Sequence, residues 1–214
     1  MKAELIGITQ PLKKLKVDAP EGLVAYCARV SNPQHQDKEI GTLFDYCMKN
    51  KHWSIFEMVN AVVEVEAPRD ISRQLLRHRS FSFQEFSQRY SDEIEFTGRE
   101  FRSQDTKNRQ NSVDDLDPEL LEDLAEDIAE LIFDTKEAYS WMRNNNVAKE
   151  CARVILPEGL TMSRLYVNGT LRSWLHYLDV RDDPGVTQWE HVLLAREIRK
   201  AIAPAFPEVF KGLV

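Results

Sequence analysis

Residues 58–67, MVNAVVEVEA, set Val63 and Val65 in alternation with Glu64 and Glu66, so one face can be buried while the other stays wet. That is the period of a half-buried strand. Pro68 stops it, because proline has no N–H for the ladder, and its fixed φ suits the first turn of a helix. Ile71, Leu75 and Leu76 then form an apolar stripe, and the helix is predicted to run to about His78. Apolar steps of three and four predict another helix around Asp37 to Asn50, through Ile40, Leu43, Phe44, Cys47 and Met48. Further helices are expected at Ala148 to Leu156, Leu171 to Val180 and Gln188 to Ala203, with a strand at Leu160 to Asn168 between the first two. Strands and helices in no strict βαβ order indicate an α+β fold, a mixed or antiparallel sheet with packed helices, whose strand order is left open.

Pro118 opens the longest periodic segment. Leu120, Leu121, Leu124, Ile128, Leu131, Ile132 and Tyr139 line one side of a helix reaching about Met142. Its other residues carry eight acids and one base, which account for the chain's whole net charge of −7. Such a run reads as a solvated helix face. An acidic whole-molecule field repels nucleic acid. Ahead of this helix, Thr97 to Asp117 is polar and poor in apolar residues, and is expected to be a long loop of a kind that is often functional. At 214 residues with no repeat or low-complexity tract, the chain 1–214 is read as one domain. It has no stretch near the roughly 18 apolar residues of a membrane span and no signal-peptide core, so a cytoplasmic location without membrane partners is expected. Cys27, Cys47 and Cys151 form an odd set without a C-x-x-C pair, arguing against a disulfide framework or a structural zinc site. The five histidines lack metal-ligand spacing, so no metal is expected.

Arg69, Arg73, Arg77, Arg79 and Arg89 are concentrated between Pro68 and Tyr90, against only Asp70 and Glu85. On a helix Arg69, Arg73 and Arg77 share one face, and Gln74 and His78 another. Guanidinium groups hold phosphate bidentately and keep their charge, so the cluster suits a phosphorylated ligand; surface pairing with Glu64 and Glu66 is the alternative. Ser80 to Tyr90, SFSFQEFSQRY, mixes aromatics with hydroxyls, an amide and a carboxylate, which suits a ligand with several donors and acceptors better than a plain core strand.

Arg77-His78-Arg79, seven intervening residues, Ser87 and then Arg89-Tyr90 resemble the R-H-R-x7-S signature of the flavin-dependent thymidylate synthases. His52-Trp53-Ser54-Ile55-Phe56-Glu57, Ala152-Arg153-Val154-Ile155-Leu156-Pro157 and Thr187-Gln188-Trp189-Glu190 are similar to three further segments of that family. The resemblance extends from about Tyr26 to Glu190. It implies that family's fold, with FAD as cofactor, dUMP as substrate, methylenetetrahydrofolate as carbon donor, NADPH as reductant, and a homotetramer whose subunits share active sites. It also implies that Gln74, Arg77, Glu85, Phe86, Ser87, Gln88, Arg89, Arg153 and Arg181 surround dUMP. Ser54, Arg77, His78, Arg79, Glu85, Arg172 and His176 would meet FAD. Arg181 would favour ionisation at N3 of the pyrimidine and His52 would face the flavin. Ser87 would position the substrate, since no Asp-His pair can be assigned to activate it as a nucleophile. The sequence departs from the family at Gln84 and Thr170, where asparagine is common, and at Gly185-Val186, where some members carry a histidine. His35 and His191 are assigned to the surface. The rival reading, a single-strand nucleic-acid module built on the basic and aromatic residues of RHRSFSFQEFSQRY, is opposed by the net charge of −7.

Overall fold

The computed structural model describes residues 1–211; positions 212–214 of the expected single domain lie outside them. Strand β1 (Lys2–Ile8) is followed by helices α1 (Pro20–Ala28) and α2 (Leu43–Lys49). Strand β2 (Asn60–Pro68) runs directly into α3 (Arg69–Leu76), and a short turn leads to β3 (Ser82–Glu85). A hairpin, β4 (Ser103–Gln104) and β5 (Ser112–Val113), precedes the long α4 (Pro118–Asn144) and the short α5 (Lys149–Ala152). Strand β6 (Met162–Thr170) then runs directly into α6 (Leu171–Arg181), followed by α7 (Trp189–Ile202) and α8 (Pro207–Phe210). The main sheet has the order β1-β2-β6-β3 and every pair in it is antiparallel, which completes the α+β architecture that the sequence left without a strand order.

The centre of the sheet is the pairing of β2 with β6, from Asn60 opposite Thr170 to Pro68 opposite Met162. Both strands alternate. Ala61, Val63, Val65 and Ala67 are buried on β2, and Ser163, Leu165, Val167 and Gly169 on β6, so one face of the sheet is the floor of the core. On the other face Glu64 and Glu66 lie beside Arg164, with N···O distances of 3.7 and 3.4 Å. Helix α7 lies over β1 and β2, α3 over β2 and β6, and α6 over β6, with Trp174 Nε1 donating to Ala61 C=O of β2 at 3.2 Å. Phe81 sits where they converge, 4.4 Å from the Trp174 ring and 6.0 Å from Tyr177, centroid to centroid. A Cβ at position 169 would fall inside the contact distance of the Phe81 ring, which is why β6 carries glycine there.

Several elements differ from the sequence expectation for identifiable reasons. The helix expected from Asp37 is α2 alone, because Gly41 adopts φ +54 and breaks the run after Ile40. Strand β1 is an addition: Ala3 and Leu5 are half-buried while Lys2 and Glu4 are exposed, so as an edge strand it shows the alternation only weakly. The Ser80 to Tyr90 segment contributes β3 at the opposite edge, where its polar side chains can reach solvent or neighbouring loops.

Helix α4 has its expected start, with the Asp117 carboxylate accepting the Glu119 N–H at 2.9 Å. Its apolar stripe is only partly covered, however, with Leu121, Leu124, Ile128 and Ile132 half-buried. Thr135 and Tyr139 are its only buried residues, and it touches α5 and the turn after it near its C-terminal end. Leu120, Leu131, Phe133 and Trp141 are between 44% and 64% exposed.

Candidate active site

The last turn of α3 tightens, with Arg77 N–H donating to Gln74 C=O and His78 N–H to Leu75 C=O. A further bond from Phe81 N–H to His78 C=O returns the chain towards β3. Arg77, His78 and Arg79 thus occupy a turn that divides them. Arg77 and Arg79 are exposed, while the His78 ring turns inward onto the edge of Tyr177, 5.1 Å between centroids. From α6, Arg181 Nε donates to His78 Nε2 at 2.9 Å. To accept that bond the imidazole must be unprotonated at Nε2. Burial, the Arg181 charge and the nearby His176 lower the His78 pKa to about 4.

Beneath this pair runs a chain of polar contacts. Tyr177 Oη lies 3.1 Å from His191 Nε2, and His191 Nδ1 lies 3.1 Å from Gln74 Oε1. Gln74 Nε2 donates to Gln188 Oε1 at 2.7 Å, and Gln188 Nε2 donates to Glu190 Oε2 at 2.9 Å. Glu190 Oε1 accepts from Arg102, whose Nε donates to Ser112 Oγ at 3.0 Å. Burial raises the Glu190 pKa, but hydrogen bonds from Arg102, its own backbone N–H and Gln188 outweigh it and hold the carboxyl below its ordinary range. His191 is fully buried, and its pKa falls to about 3 through burial and the charges of Arg181 and His78.

The surface assignment of His191 is therefore corrected. Leu194, Ala195, Ile198 and Ile202 follow it on the buried side of α7, and that helical spacing places residue 191 on the core face. The spacing was visible in the sequence. Neither Arg102 in the long loop nor Tyr177 carried any comparable signal of participation.

The arginine cluster is sorted by its partners. Arg69 lies 3.9 Å from Glu85, and Arg73 pairs with Glu158. Glu64 and Glu66, offered as the alternative partners of these helix arginines, are taken up by Arg164 and Lys2 from neighbouring strands. Among the described residues, the side chains of Arg77, Arg79 and Arg153 make no hydrogen bond or ion pair within the chain. Glu85 accepts from Ser163 Oγ at 2.9 Å. Phe86 N–H donates to Arg164 C=O at 2.8 Å, which carries the chain off β3 into the Ser87 turn, where Gln88 is buried. Ser87 Oγ accepts the Arg89 N–H at 3.3 Å, and the Arg89 side chain lies 3.7 Å from Glu150 on α5, one turn before Arg153.

On the opposite side of α6, Arg172 and His176 line a cavity of about 1080 Å³ together with Lys51, Trp53, Ser80 and Asp179. Arg172 pairs with Glu57, which also lines the cavity. Trp53 stands between exposed His52 and Ser54; the His52 ring meets Tyr46 edge-on at 5.8 Å. Thr170 caps α6 by accepting the Ser173 N–H at 3.2 Å, a task that asparagine could also perform. Gln84 lies on β3 opposite Tyr166, and Gly185 C=O accepts from Asn108 of the long loop at 3.3 Å. No group of three or more His, Cys, Asp or Glu side chains among the described residues is arranged to hold a metal ion.

Residues 14–208 match the protein family described as thymidylate synthase complementing protein. The chain is 44% identical to a flavin-dependent thymidylate synthase of Synechocystis, covering all of this chain and 99% of that protein. It is 42% identical to a probable flavin-dependent thymidylate synthase of Paramecium bursaria Chlorella virus 1, over the same shares. Among solved structures it is similar, at TM-score 0.79 and 26% identity, to the UMP/dUMP methylase PolB of Streptomyces cacaoi bound with 5-Br dUMP, covering 98% of this chain and 94% of that one.

The two buried imidazoles set a pH dependence. Folded, His78 and His191 stay neutral down to about 4 and about 3, against an ordinary value of 6.5. Below pH 6.5 the unfolded chain therefore binds more protons than the folded one, so stability is complete above that pH and is lost as pH falls through the window towards 4. The urea midpoint is expected to be lower at about pH 5 than at about pH 7; equal midpoints would mean that these rings protonate normally in the fold.

Proposed function

The chain belongs to the flavin-dependent thymidylate synthase family, and on that premise we propose that it converts dUMP to dTMP with FAD, methylenetetrahydrofolate as carbon donor and NADPH as reductant. The observation that carries the reading is the Arg181 to His78 hydrogen bond, which joins the middle of the Arg77-His78-Arg79 signature to the arginine assigned to the pyrimidine. The residues present fit a flavin. The cavity beside α6 is of ligand size, and Arg172 and His176 stand on its wall. Ser54 and the unpaired Arg77 and Arg79 would complete the contacts, with Glu85 at the boundary between flavin and substrate. When bound, the flavin supplies the redox chemistry that no side chain here can perform.

The side chains bind, orient and hold charge. Arg153 has no partner in the chain and Arg89 only a distant one in Glu150, so both are available to grip a phosphate, where a planar fork gives two parallel bonds. Gln74, Ser87 and the backbone around Phe86 and Gln88 would fix the uracil and sugar. Arg181 spends its Nε on His78, which sets the plane of the guanidinium and leaves its terminal nitrogens to face N3 of the pyrimidine. A fixed positive charge there stabilises the developing anion and makes the ring carbon more nucleophilic. His52 would face the flavin beside Trp53.

The same reading takes chain 1–214 as a single cytoplasmic domain, supported by one hydrophobic cluster that spans α1 to α8. No helix among the described residues is long and apolar enough to cross a membrane. It also takes the protein as a homotetramer, in which the exposed apolar residues of α4, Leu120, Leu131, Phe133 and Trp141, would meet other copies of the chain. Light scattering should give four times the chain mass, and a monomer at micromolar concentration with full FAD occupancy would overturn the tetramer.

The purified protein should show oxidised-flavin absorption bands that shift when dUMP is added. A colourless protein that takes up no added FAD would sink the synthase reading. Arg181→Lys keeps the charge but loses the fork, and turnover should fall about tenfold or more while dUMP still perturbs the flavin bands. Unchanged turnover would remove Arg181 from the catalytic residues.

A further inference from the structure

The chain from Tyr177 to Arg102 can be proton-ordered in only one direction, and its anchor decides which. Glu190 is ionised, held by Arg102, so it offers acceptors alone. Gln188 must therefore turn its NH2 to Glu190 at 2.9 Å and its Oε1 towards Gln74. Gln74 must in turn give an N–H to that oxygen at 2.7 Å, which leaves its own Oε1 facing His191 Nδ1 at 3.1 Å. An amide oxygen only accepts, so the proton of the neutral imidazole lies on Nδ1. His191 Nε2 is left to accept from the Tyr177 hydroxyl at 3.1 Å, and burial raises that phenol's pKa and keeps its proton on the oxygen. Gln188 is exposed, but turning its oxygen to Glu190 would set an amide oxygen against a carboxylate, and reversing Gln74 or His191 alone would set two acceptors or two donors face to face at part-buried contacts, which costs more than the bond is worth.

We infer that His191 is a positioning residue for the synthase reaction: its Nδ1–H locks the Gln74 carboxamide so that the second, uncommitted N–H of Gln74 points as a donor at an acceptor oxygen of dUMP. The inference rests on the proposed function, since it takes Gln74 as a substrate-facing residue. It goes further by assigning work to a histidine outside the signature motif and fixing which end of Gln74 the nucleotide meets. Gln74 is half-buried, with its oxygen and one N–H committed, so the remaining hydrogen is what it can offer a ligand. A free Gln side chain can flip and present oxygen instead, which would repel a phosphate or carbonyl oxygen.

Two experiments on the full-length holoenzyme decide it. Nitrogen NMR of the His191 ring in the wild type should show the protonated type of nitrogen at Nδ1 and the unprotonated type at Nε2; the opposite tautomer would overturn the ordering. In steady-state kinetics His191→Leu should raise the KM for dUMP about tenfold while kcat falls by less than about threefold, the effect of one lost hydrogen bond to substrate. His191→Asn, whose amide nitrogen can stand near the place of Nδ1, should recover most of that KM. An unchanged dUMP KM in His191→Leu, or an equal loss of kcat in both variants with FAD retained, would overturn the positioning role. Wild-type protein that binds flavin but neither binds nor turns over dUMP would overturn the proposed function, and the ring tautomer would still decide the ordering.

Discussion

The pairing of β2 with β6 is the constraint on which the rest depends. Each strand passes without a loop into a helix, β2 through Pro68 into α3 and β6 through Thr170 into α6. The antiparallel register therefore fixes where both helices begin, and with it which of their side chains can meet. A slip of one residue would turn Val63, Val65, Leu165 and Val167 to the wet face and bring Glu64, Glu66 and Arg164 into the core. Burial of four aliphatic side chains, each worth about 1.5–3 kcal/mol, makes such a slip untenable. Phe81, packed over Gly169 and against Trp174, holds the α3 turn down on that frame.

The frame delivers a polar site at the edge of a dry core. Tyr177 and His191 are fully buried and His78 is half-buried, all near one permanent cation, Arg181. A buried polar group is tolerated where it is bonded, and the charge of Arg181 and the low polarity of the surroundings both hold the imidazoles neutral. Neutral rings can accept from an arginine or a phenol, which protonated ones cannot. Electrostatics and hydrogen bonding thus impose one arrangement, and the far end of the chain is tied by Arg102 to the 97–117 loop. That loop therefore contributes to the order of the site.

Charge is divided between two regions. The acids of α4 account for the net −7 of the chain and stand away from the core, so that a cationic α3 turn can persist in an acidic protein. Among the helix arginines the structure separates those committed to internal carboxylates, Arg69 and Arg73, from Arg77 and Arg79, which are not. Equal spacing on a helix face could not make that distinction.

Much was legible in local pattern. Alternation in 58–67 and 160–168, the steps of α3, α6 and α7, the length of α4 and the R-H-R-x7-S spacing are all short-range properties, and a side chain's direction on a strand or helix follows from its number alone. The edge strand β1 was harder to see because half-burial blurs its alternation, and α2 was overextended because the left-handed backbone of Gly41 is a property of the folded turn. The meetings were not legible. His78 and Arg181 are 103 residues apart, Arg102 and Glu190 are 88 apart, and Gln74 and His191 are 117 apart. The sequence by itself determined the elements, the buried faces and the chemical types available to the site. Only the tertiary structure decided which of those groups are committed to one another, because hydrogen-bond and charge complementarity act across contacts that the register of β2 on β6 creates.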